Sequence, residues 1–316
     1  MLLLFFNILF ACVWADEPYL QNIEQLTYPD MGFEKAGEAY FNPSGDKISF
    51  QAVPTGESDY QIFTLSLNDK KLTRISPELG ACTCSFFHPK KPKILFAMSP
   101  FKAAQAAPGS YKWDFTPFMN IYECDLDGDN LTQLTFGPAY HAECAYSPDG
   151  EKICFASDLD GSMNLYVMNS DGTDIRQITH TKGSYNGGPF FSPDGKSLIF
   201  RADYDEPHRL QLYKINIDGS NLTRLTDDPH VNWAPFWHPS GKAIAYTTSK
   251  HGHHQYQLYL MRLDTFEAVR ITDHPSFNGL PTFNTDGSKL LWTSKRGSDQ
   301  TSQIFIADFI PPFEDL

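Results

Sequence analysis

One structural unit recurs six times along this chain, and this repetition restricts the fold more than any other feature of the sequence. Each copy contains a turn that follows an aromatic residue, as in residues 146–150 (YSPDG) and 191–195 (FSPDG). The turns align on six residues, which we call the anchors: Pro43, Pro89, Pro148, Pro193, Pro239 and Thr285. Successive anchors lie about 46 residues apart, with one longer interval between the second and the third. A period of this length is typical of solenoids and propellers.

Further positions repeat at fixed distances from the anchors and predict four strands in each unit. An aliphatic residue follows each anchor by five positions and an aromatic residue by seven, an alternation that indicates a strand. A triplet of amide, aliphatic and aromatic residues, such as Asn164–Tyr166, predicts a third strand. Asp-Gly pairs then favour a hairpin into a fourth strand, typified by Ile175–Thr179. The sequence therefore predicts an all-β fold, a six-bladed β-propeller of four-stranded blades.

The two ends of the repeat predict how the ring closes. The sixth unit ends after Gln303–Ala307 without a fourth strand, whereas Ile23–Thr27, ahead of the first unit, has the fourth-strand pattern. We expect this N-terminal strand to pair into the last blade, because pairing protects an otherwise open sheet edge. The propeller is expected to be a single domain over residues 20–310, followed by a C-terminal tail at 311–316.

The first residues have the pattern of an export signal. Leu2–Phe10 is apolar except for Asn7, and small residues at Val13 and Ala15 predict cleavage before Asp16. We therefore expect a signal peptide at residues 1–15 and a periplasmic or secreted protein. Leu9–Cys12 also resembles a lipobox, which leaves a lipid anchor at Cys12 as the alternative.

Composition excludes some classes of partner. The formal net charge is −13 and there is no run of Lys and Arg, so no nucleic-acid partner is expected. After the leader, no stretch of the sequence is apolar enough for a transmembrane segment. We expect a monomer. The five cysteines that follow the leader lie in apolar strand patterns and are expected to be buried: Cys82, Cys84, Cys124, Cys144 and Cys154.

The Ser-Pro-Asp-Gly turn, the amide-aliphatic-aromatic strand and the Leu/Ile-Thr ending of the fourth strand resemble the TolB-type propeller repeat over roughly residues 20–310. The resemblance implies a binding propeller of the cell envelope. TolB itself carries an α/β domain before its propeller, for which this sequence leaves no room, so a role like TolB's own does not follow from the repeat.

The repeat also sorts residues onto two faces. The anchor turns and the Asp-Gly hairpins share one face, the bottom, and the loops between blades lie on the opposite, top face. Seven positions before an anchor stand four polar residues that are expected at the mouth of the central channel as a ligand ring: His141, Asn186, Asn232 and Asn278. The alternative is that each Asn caps a turn. Glu38 and Glu143 lie two positions further on and add acidic character to the channel.

Basic residues of the top face form a second group of candidates. Arg201, Lys250, Lys295 and Arg296 follow the second strands of blades four to six, where they either bind an anionic ligand or are ordinary solvated charges. No cofactor is expected. A divalent metal is left open because His251, His253 and His254 lie close together, although no carboxylate stands within four residues of them.

Two functions remain open at this point. The first is a non-catalytic binding or scaffold module that holds an envelope protein segment or a small-molecule ligand at the top face and the channel mouth. The alternative is an enzyme sited in the channel, such as a metal-assisted lyase or hydrolase acting on a carbohydrate or a lactone. An insertion at residues 100–118 of blade two, rich in aromatic residues, is expected on the same top face as a binding patch or a lid.

Overall fold

The computed structural model describes residues 17–78, 80–102 and 115–316, so the predicted signal peptide, Cys12 and residues 103–114 of the blade-two insertion lie outside the described residues. The described chain forms six antiparallel sheets of four strands each. These are the blades of a propeller, which confirms the predicted all-β fold. No described helix is long and apolar enough to cross a membrane.

The strands run in chain order through the blades. Ahead of blade one come a strand and a short 3-10 helix: β1 (Leu20–Gln25) and Pro29–Met31. Blades one to three contain β2 (Phe33–Phe41), β3 (Lys47–Pro54), β4 (Gln61–Ser66), β5 (Leu72–Arg74), β6 (Ala81–Phe87), β7 (Lys93–Ser99), β8 (Asn120–Asp125), β9 (Thr132–Gln133), β10 (His141–Tyr146), β11 (Lys152–Ser157), β12 (Asn164–Asn169) and β13 (Arg176–Gln177). Blades four to six contain β14 (Asn186–Phe191), β15 (Ser197–Ala202), β16 (Gln211–Asn216), β17 (Thr223–Arg224), β18 (Asn232–Trp237), β19 (Ala243–Thr248), β20 (Gln257–Arg262), β21 (Ala268–Arg270), β22 (Asn278–Phe283), β23 (Lys289–Ser294) and β24 (Gln303–Phe309).

The N-terminal strand closes the ring as the sequence predicts. β1 is the outermost strand of blade six and pairs antiparallel with β24, with Leu20 opposite Phe309 and Gln25 opposite Phe305. The first and last blades are thereby joined through residues almost 300 positions apart. The edge of blade six is paired rather than left open.

A buried hydrogen-bonded pin explains why the fourth strand ends in Ser or Thr. In each blade this hydroxyl accepts a hydrogen bond from the backbone N–H of the aliphatic residue in the third-strand triplet, as Thr179 Oγ1 does from Leu165 at 2.9 Å. Thr179 also donates to the triplet amide of Asn164 at 3.0 Å. The same backbone bond recurs at Ser76, Thr135, Thr226, Thr272 and Thr27. In blades one to five this contact holds the outer strand although that strand is only two or three residues long.

The core consists of aromatic layers within and between the blades. The aromatic residue seven positions after each anchor is at most 6% exposed, and it stacks on the third-strand aromatic of its own blade, as Phe155 does on Tyr166 with ring centroids 5.6 Å apart. Burial of each such side chain stabilises the fold by roughly 1.5–3 kcal/mol. The five cysteines are buried, as expected, and no disulfide joins them.

Candidate functional site

Every innermost strand carries a β-bulge at the same position, and this bulge shapes the central channel. The ladder between first and second strands shifts register there in all six blades, for example between Ala142 and Ala145. The residue five positions before each anchor has a positive φ of 49–58°: Glu38, Cys84, Glu143, Gly188, Ala234 and Leu280. A bulge adds one residue to the strand, so the side chains before and after it change faces.

The bulged backbone is fixed by side chains of the preceding blade. The N–H of Cys84 donates to Gln51 Oε1 at 3.3 Å, and the N–H of Leu280 donates to Thr247 Oγ1 at 3.1 Å. The N–H of Glu38 donates to Thr293 Oγ1 of blade six at 3.1 Å. These acceptors all lie eight positions after an anchor, so the repeat itself supplies the partner for the bulge.

The six bulge residues line one cavity of about 380 Å³, which we call the central cup. Its floor is formed by the rings of Tyr40, Phe190 and Phe236, which stand three positions before their anchors, and Phe86 packs against Tyr40 and Phe190. Tyr40 and Phe190 come from opposite blades, yet their ring centroids are 5.8 Å apart, so the rings fill the channel axis. Tyr60, Thr116, Met119 and Tyr140 line the cup near the top-face loops. The channel is therefore a blind cup with its mouth on the top face.

One wall of the cup contains a buried ion pair. Arg201 Nη2 lies 3.1 Å from Glu143 Oε2, and the two side chains are each 9% exposed. The Tyr185 hydroxyl donates to both Glu143 oxygens at 2.7 and 2.9 Å and accepts a hydrogen bond from Arg201 at 2.9 Å. Glu143 also accepts the bulge N–H of Gly188. Burial opposes the charge of Arg201, but the Glu143 carboxylate acting together with Tyr185 and Glu38 outweighs burial, and the pKa of Arg201 is raised.

Glu38, on the facing blade-one strand, has a different environment. The Tyr40 hydroxyl donates to Glu38 Oε1 at 3.0 Å. Burial raises the pKa of Glu38, and the nearby Glu143 carboxylate acts in the same direction, while the Tyr40 hydrogen bond and Arg201 oppose the rise. Among the described residues, no ion pair involves Glu38. A carboxyl group in a cavity with a perturbed pKa is a typical functional-site candidate.

The predicted ring of His141, Asn186, Asn232 and Asn278 does not lie in the cup, because the bulge turns these side chains into the blades. All four are at most 2% exposed. Asn278 donates to Gln257 Oε1 of the preceding blade at 3.2 Å and accepts from Ser294 Oγ at 2.8 Å. Asn186 donates to the carbonyl of Met163, and His141 Nδ1 shares a 3.0 Å hydrogen bond with Ser157. The contacts of the three Asn side chains join neighbouring blades, whereas that of His141 lies within blade three.

The predicted basic patch is divided between structural and exposed residues. Arg296 makes two hydrogen bonds to Glu17 at 2.9 and 3.0 Å, donates to Asn278 at 3.0 Å, and lies over the ring of Trp292. This contact fixes the start of the described chain to blade six. Lys295 and Lys250 are exposed, and Lys250 lies 5.9 Å from the ring centroid of Tyr259. The anchoring role of Arg296 was not predicted, because Glu17 is remote from it in the sequence.

The histidines of the top face do not converge. His251 shares a hydrogen bond with Tyr259 at 2.9 Å, and His253 shares one with Tyr256 at 3.1 Å. Burial lowers the pKa of His251. His254 is exposed. Within the described ranges, no group of three or more His, Cys, Asp or Glu residues is arranged to hold a metal ion.

Two grooves on the top face continue from the cup. An apolar groove is lined by Phe115, Tyr185, Leu210, Trp233, Tyr256 and Phe277, and it meets the cup at Trp233, which lines both. A polar rim groove between blades five and six contains Lys295 and His254, and it shares His253 and Phe277 with the apolar groove. We call the cup and the two grooves together the top-face trough. It crosses the top face from the channel axis to the rim.

Sequence reasoning missed the aromatic residues of the trough. Tyr140 and Tyr185 stand eight positions before their anchors, and Trp233 stands six before. These side chains lie on the far side of the bulge from the anchor. They face the cavity because the bulge reverses the alternation of side chains between the two faces of the strand. A signal for the bulge is present: Pro189, Pro235 and Pro281 stand four positions before their anchors, and Pro inside a strand indicates an edge or a bulge.

The end of the blade-two insertion lies at the cup mouth. Phe115 stacks on Tyr185 with nearly parallel rings and centroids 6.3 Å apart, and it packs against Tyr140 at 5.1 Å. Phe115 is 38% exposed. The next residue, Thr116, lines the cup. The insertion therefore contributes described residues to both the cup and the apolar groove.

Comparison with known proteins agrees with this architecture. A family model described as the TolB beta propeller domain matches residues 116–228. An uncharacterized protein of Agrobacterium fabrum is 31% identical over 88 residues, which are 28% of this chain and 29% of that protein. A Protein TolB homolog of Chlorobaculum tepidum is 33% identical over 107 residues, 34% of this chain and 24% of that protein. The aligned segment spans less than a third of each relative's own length.

Solved structures match over most of the chain. A putative TolB from Agrobacterium tumefaciens superposes with a TM-score of 0.62 at 19% identity, covering 87% of this chain and 91% of that one. An oligogalacturonate lyase from Vibrio parahaemolyticus gives 0.60 at 14%, covering 92% and 94%. An oligogalacturonate lyase in complex with manganese gives 0.58 at 16%, covering 91% and 93%. At such identities these likenesses show the fold alone.

The sheets and the cup define the class of the protein, a six-bladed β-propeller with a blind central cavity. Within that class the fold is similar to that of TolB propellers, and the domain matched over residues 116–228 and the superposed structures both support this likeness.

Proposed function

We propose that this chain is an exported, non-catalytic binding propeller of the cell envelope, which holds a segment of a partner protein along its top-face trough. The observation that carries the proposal is the continuity of the trough. Trp233 lines both the central cup and the apolar groove, and Phe277 lines both the apolar groove and the rim groove. A partner segment in an extended conformation would contact all three without a change in the propeller.

The chemistry of the trough suits a peptide. The apolar groove offers aromatic faces from several loops, and large amphipathic aromatics are the side chains that most often carry binding energy at interfaces. The rim groove adds the exposed Lys295 and the neighbouring His254, which are suited to acidic groups of a segment. Relatives named TolB and Tol-Pal system protein TolB support a location in the envelope for this chain too.

The proposal is tested by photo-crosslinking in an envelope extract of the source organism. A benzophenone amino acid is placed at Trp233 in the trough and, as the matched control, at Phe266, an exposed aromatic in the β20–β21 hairpin of the bottom face. We expect a defined protein adduct at position 233 that is absent at position 266. No adduct at position 233, or equal yields at both positions, would contradict the proposal.

A second candidate function is an enzyme sited in the cup, a lyase or hydrolase acting on a carbohydrate or a lactone. The observation that favours it is the Glu38 carboxyl group, because a partly buried acid with a raised pKa can serve as a general acid. Incubation of the purified protein with oligogalacturonides, with and without added Mn²⁺, tests this candidate. Product formation that is lost in Glu38→Gln would establish catalysis, and its absence under both conditions would remove this candidate for that substrate.

A further inference from the structure

We infer that the central cup receives a cationic side chain, a Lys or Arg of the bound segment, whose charge is neutralised by Glu38. This inference rests on the proposed function and deepens it by naming the chemistry at the inner end of the trough. The first support is a charge count. The charged residues that line the cup among those described are Glu38, Glu143 and Arg201. Glu143 and Arg201 neutralise each other at 3.1 Å, so Glu38 is left as the carboxylate without an opposite charge.

The wall around Glu38 is aromatic as well as acidic. Tyr40, Tyr60 and Tyr140 line the same cavity. Tyr60 already binds one ammonium group, since Lys35 Nζ lies 4.8 Å from its ring centroid. Aromatic faces attract cations, with a contribution of roughly 0.5–2 kcal/mol that grows as water is excluded. A carboxylate bordered by tyrosine rings is therefore matched to an organic cation.

Other ligands fit the cup less well. An anion would approach two carboxylates, and an apolar group would cover the Glu38 carboxyl without replacing its contacts with water, which is costly for an ionised group. The cavity of about 380 Å³ lies within the roughly 300–1,000 Å³ range of ligand pockets. The aromatic floor stops a side chain from passing through, so the cup is suited to the end of a side chain.

Binding of a cation at this site is coupled to loss of a proton. The groups that face Glu38 are Tyr40 on its own strand, Cys84 on β6, Glu143 on β10 and Arg201 on β15. Burial raises the pKa of Glu38 in the empty cup, and an added positive charge lowers it again. The affinity for a cation should therefore rise with pH until Glu38 is ionised in the free protein.

The test uses three capped amino acids as probes: N-acetyl-lysine amide, N-acetyl-arginine amide and the uncharged N-acetyl-norleucine amide. Calorimetric titration of the whole protein should show saturable binding of the lysine or the arginine probe, and none of norleucine. Glu38→Gln should weaken the binding about tenfold or more, the usual effect of losing a charge-assisted hydrogen bond. Glu24→Gln, at an exposed surface carboxylate, should leave it unchanged. Equal binding of norleucine, or an unchanged affinity in Glu38→Gln, would overturn the inference.

Two further outcomes keep this test decisive. If Glu38→Gln does not fold, the wild-type protein is titrated with the lysine probe from about pH 4.5 upward, where a rise in affinity supports the inference and a flat or falling profile overturns it. The crosslink at Trp233 does not depend on Glu38. A crosslink without lysine or arginine binding would therefore refute the cationic contact alone, whereas cation binding without a crosslink would refute the partner segment.

Discussion

Thr27 and Gln303, 276 residues apart, are joined by a buried hydrogen bond in which Thr27 Oγ1 donates to Gln303 Oε1 at 2.7 Å. Thr27 Oγ1 also accepts the N–H of Ile304 at 2.9 Å, so a single hydroxyl connects the start of the propeller to its last blade. The other five blades use the same backbone contact within a continuous segment of chain. In blade six it closes the ring.

The first prediction concerns this closure. Thr27→Val keeps the size of the side chain but leaves Gln303 Oε1 and the Ile304 N–H without their buried partner. We expect the free energy of unfolding to fall by about 1–3 kcal/mol. Urea denaturation followed by fluorescence measures the change. Thr132→Val, at an exposed hydroxyl of β9, is the matched control and should change stability by no more than about 0.5 kcal/mol. Equal effects of the two substitutions would refute the closing role.

The second prediction concerns the buried ion pair of the cup. Arg201→Met leaves the Glu143 carboxylate buried without its counter-charge, so we expect a loss of about 3–5 kcal/mol in unfolding free energy. The double variant with Glu143→Gln should recover a large part of that loss. A double-mutant cycle by chemical denaturation measures the coupling.

The exposed pair of Lys70 and Glu24 serves as the control for that cycle. Its atoms are closer, at 2.9 Å, but both side chains are 54% exposed. Water screens such a pair, so the coupling energy should be about 0–1 kcal/mol. A buried pair that couples no more strongly than this exposed pair would show that Arg201 and Glu143 do not depend on each other.

The third prediction is a pH dependence of stability from Glu38. Below its ordinary pKa of 4.5 this carboxyl is protonated in both the folded and the unfolded chain. Above 4.5 the unfolded chain loses the proton first, because burial raises the pKa of the folded state. The folded protein then binds more protons, so the contribution of Glu38 to stability falls as pH rises through its folded-state pKa.

Glu38→Gln removes this titration and retains an oxygen that can accept the Tyr40 hydrogen bond. Unfolding free energies of the wild type and the variant, measured from about pH 4 to about pH 8, should therefore diverge in favour of the variant as pH rises. A constant difference across that range would show that Glu38 titrates as an ordinary exposed carboxyl group.

The fourth prediction separates the buried amides from the binding surface. Asn278 makes hydrogen bonds to Gln257, Ser294 and Arg296, all of them structural contacts. Asn278→Ala should lower the free energy of unfolding by about 1–3 kcal/mol or more and leave the affinity for the lysine probe unchanged. Denaturation and calorimetry on the same sample check both parts. A weakened affinity in a folded variant would show that Asn278 belongs to the binding site.

The fold was predictable because each blade repeats strong local signals. The alternation of apolar residues and the Asp-Gly hairpins are signals that each span only a few positions. The fourth-strand pattern at Ile23–Thr27 predicted the closure of the ring by β1. The cup was predictable only in part. Glu38 and Glu143 share an anchor-relative position and do line the cavity, whereas the Asn residues two positions earlier do not.

The Glu and Asn positions differ because the bulge adds one residue to the innermost strand. A strict alternation places positions five and seven before the anchor on the same face, and the bulge at position five breaks that rule. Tertiary contacts account for the rest. The pairing of Arg296 with Glu17 depends on closure of the ring, and the pairing of Arg201 with Glu143 depends on the packing of adjacent blades; local patterns encode neither.

Binding of a partner segment along the top-face trough is measured by the affinity of the segment that crosslinks at Trp233. The segment is made as a synthetic peptide and titrated into the wild type, Trp233→Ala and the bottom-face control Phe266→Ala. We expect the affinity to fall about tenfold or more in Trp233→Ala, as for an aromatic anchor at an interface, and to stay unchanged in Phe266→Ala. Equal affinity of all three proteins would contradict this expectation.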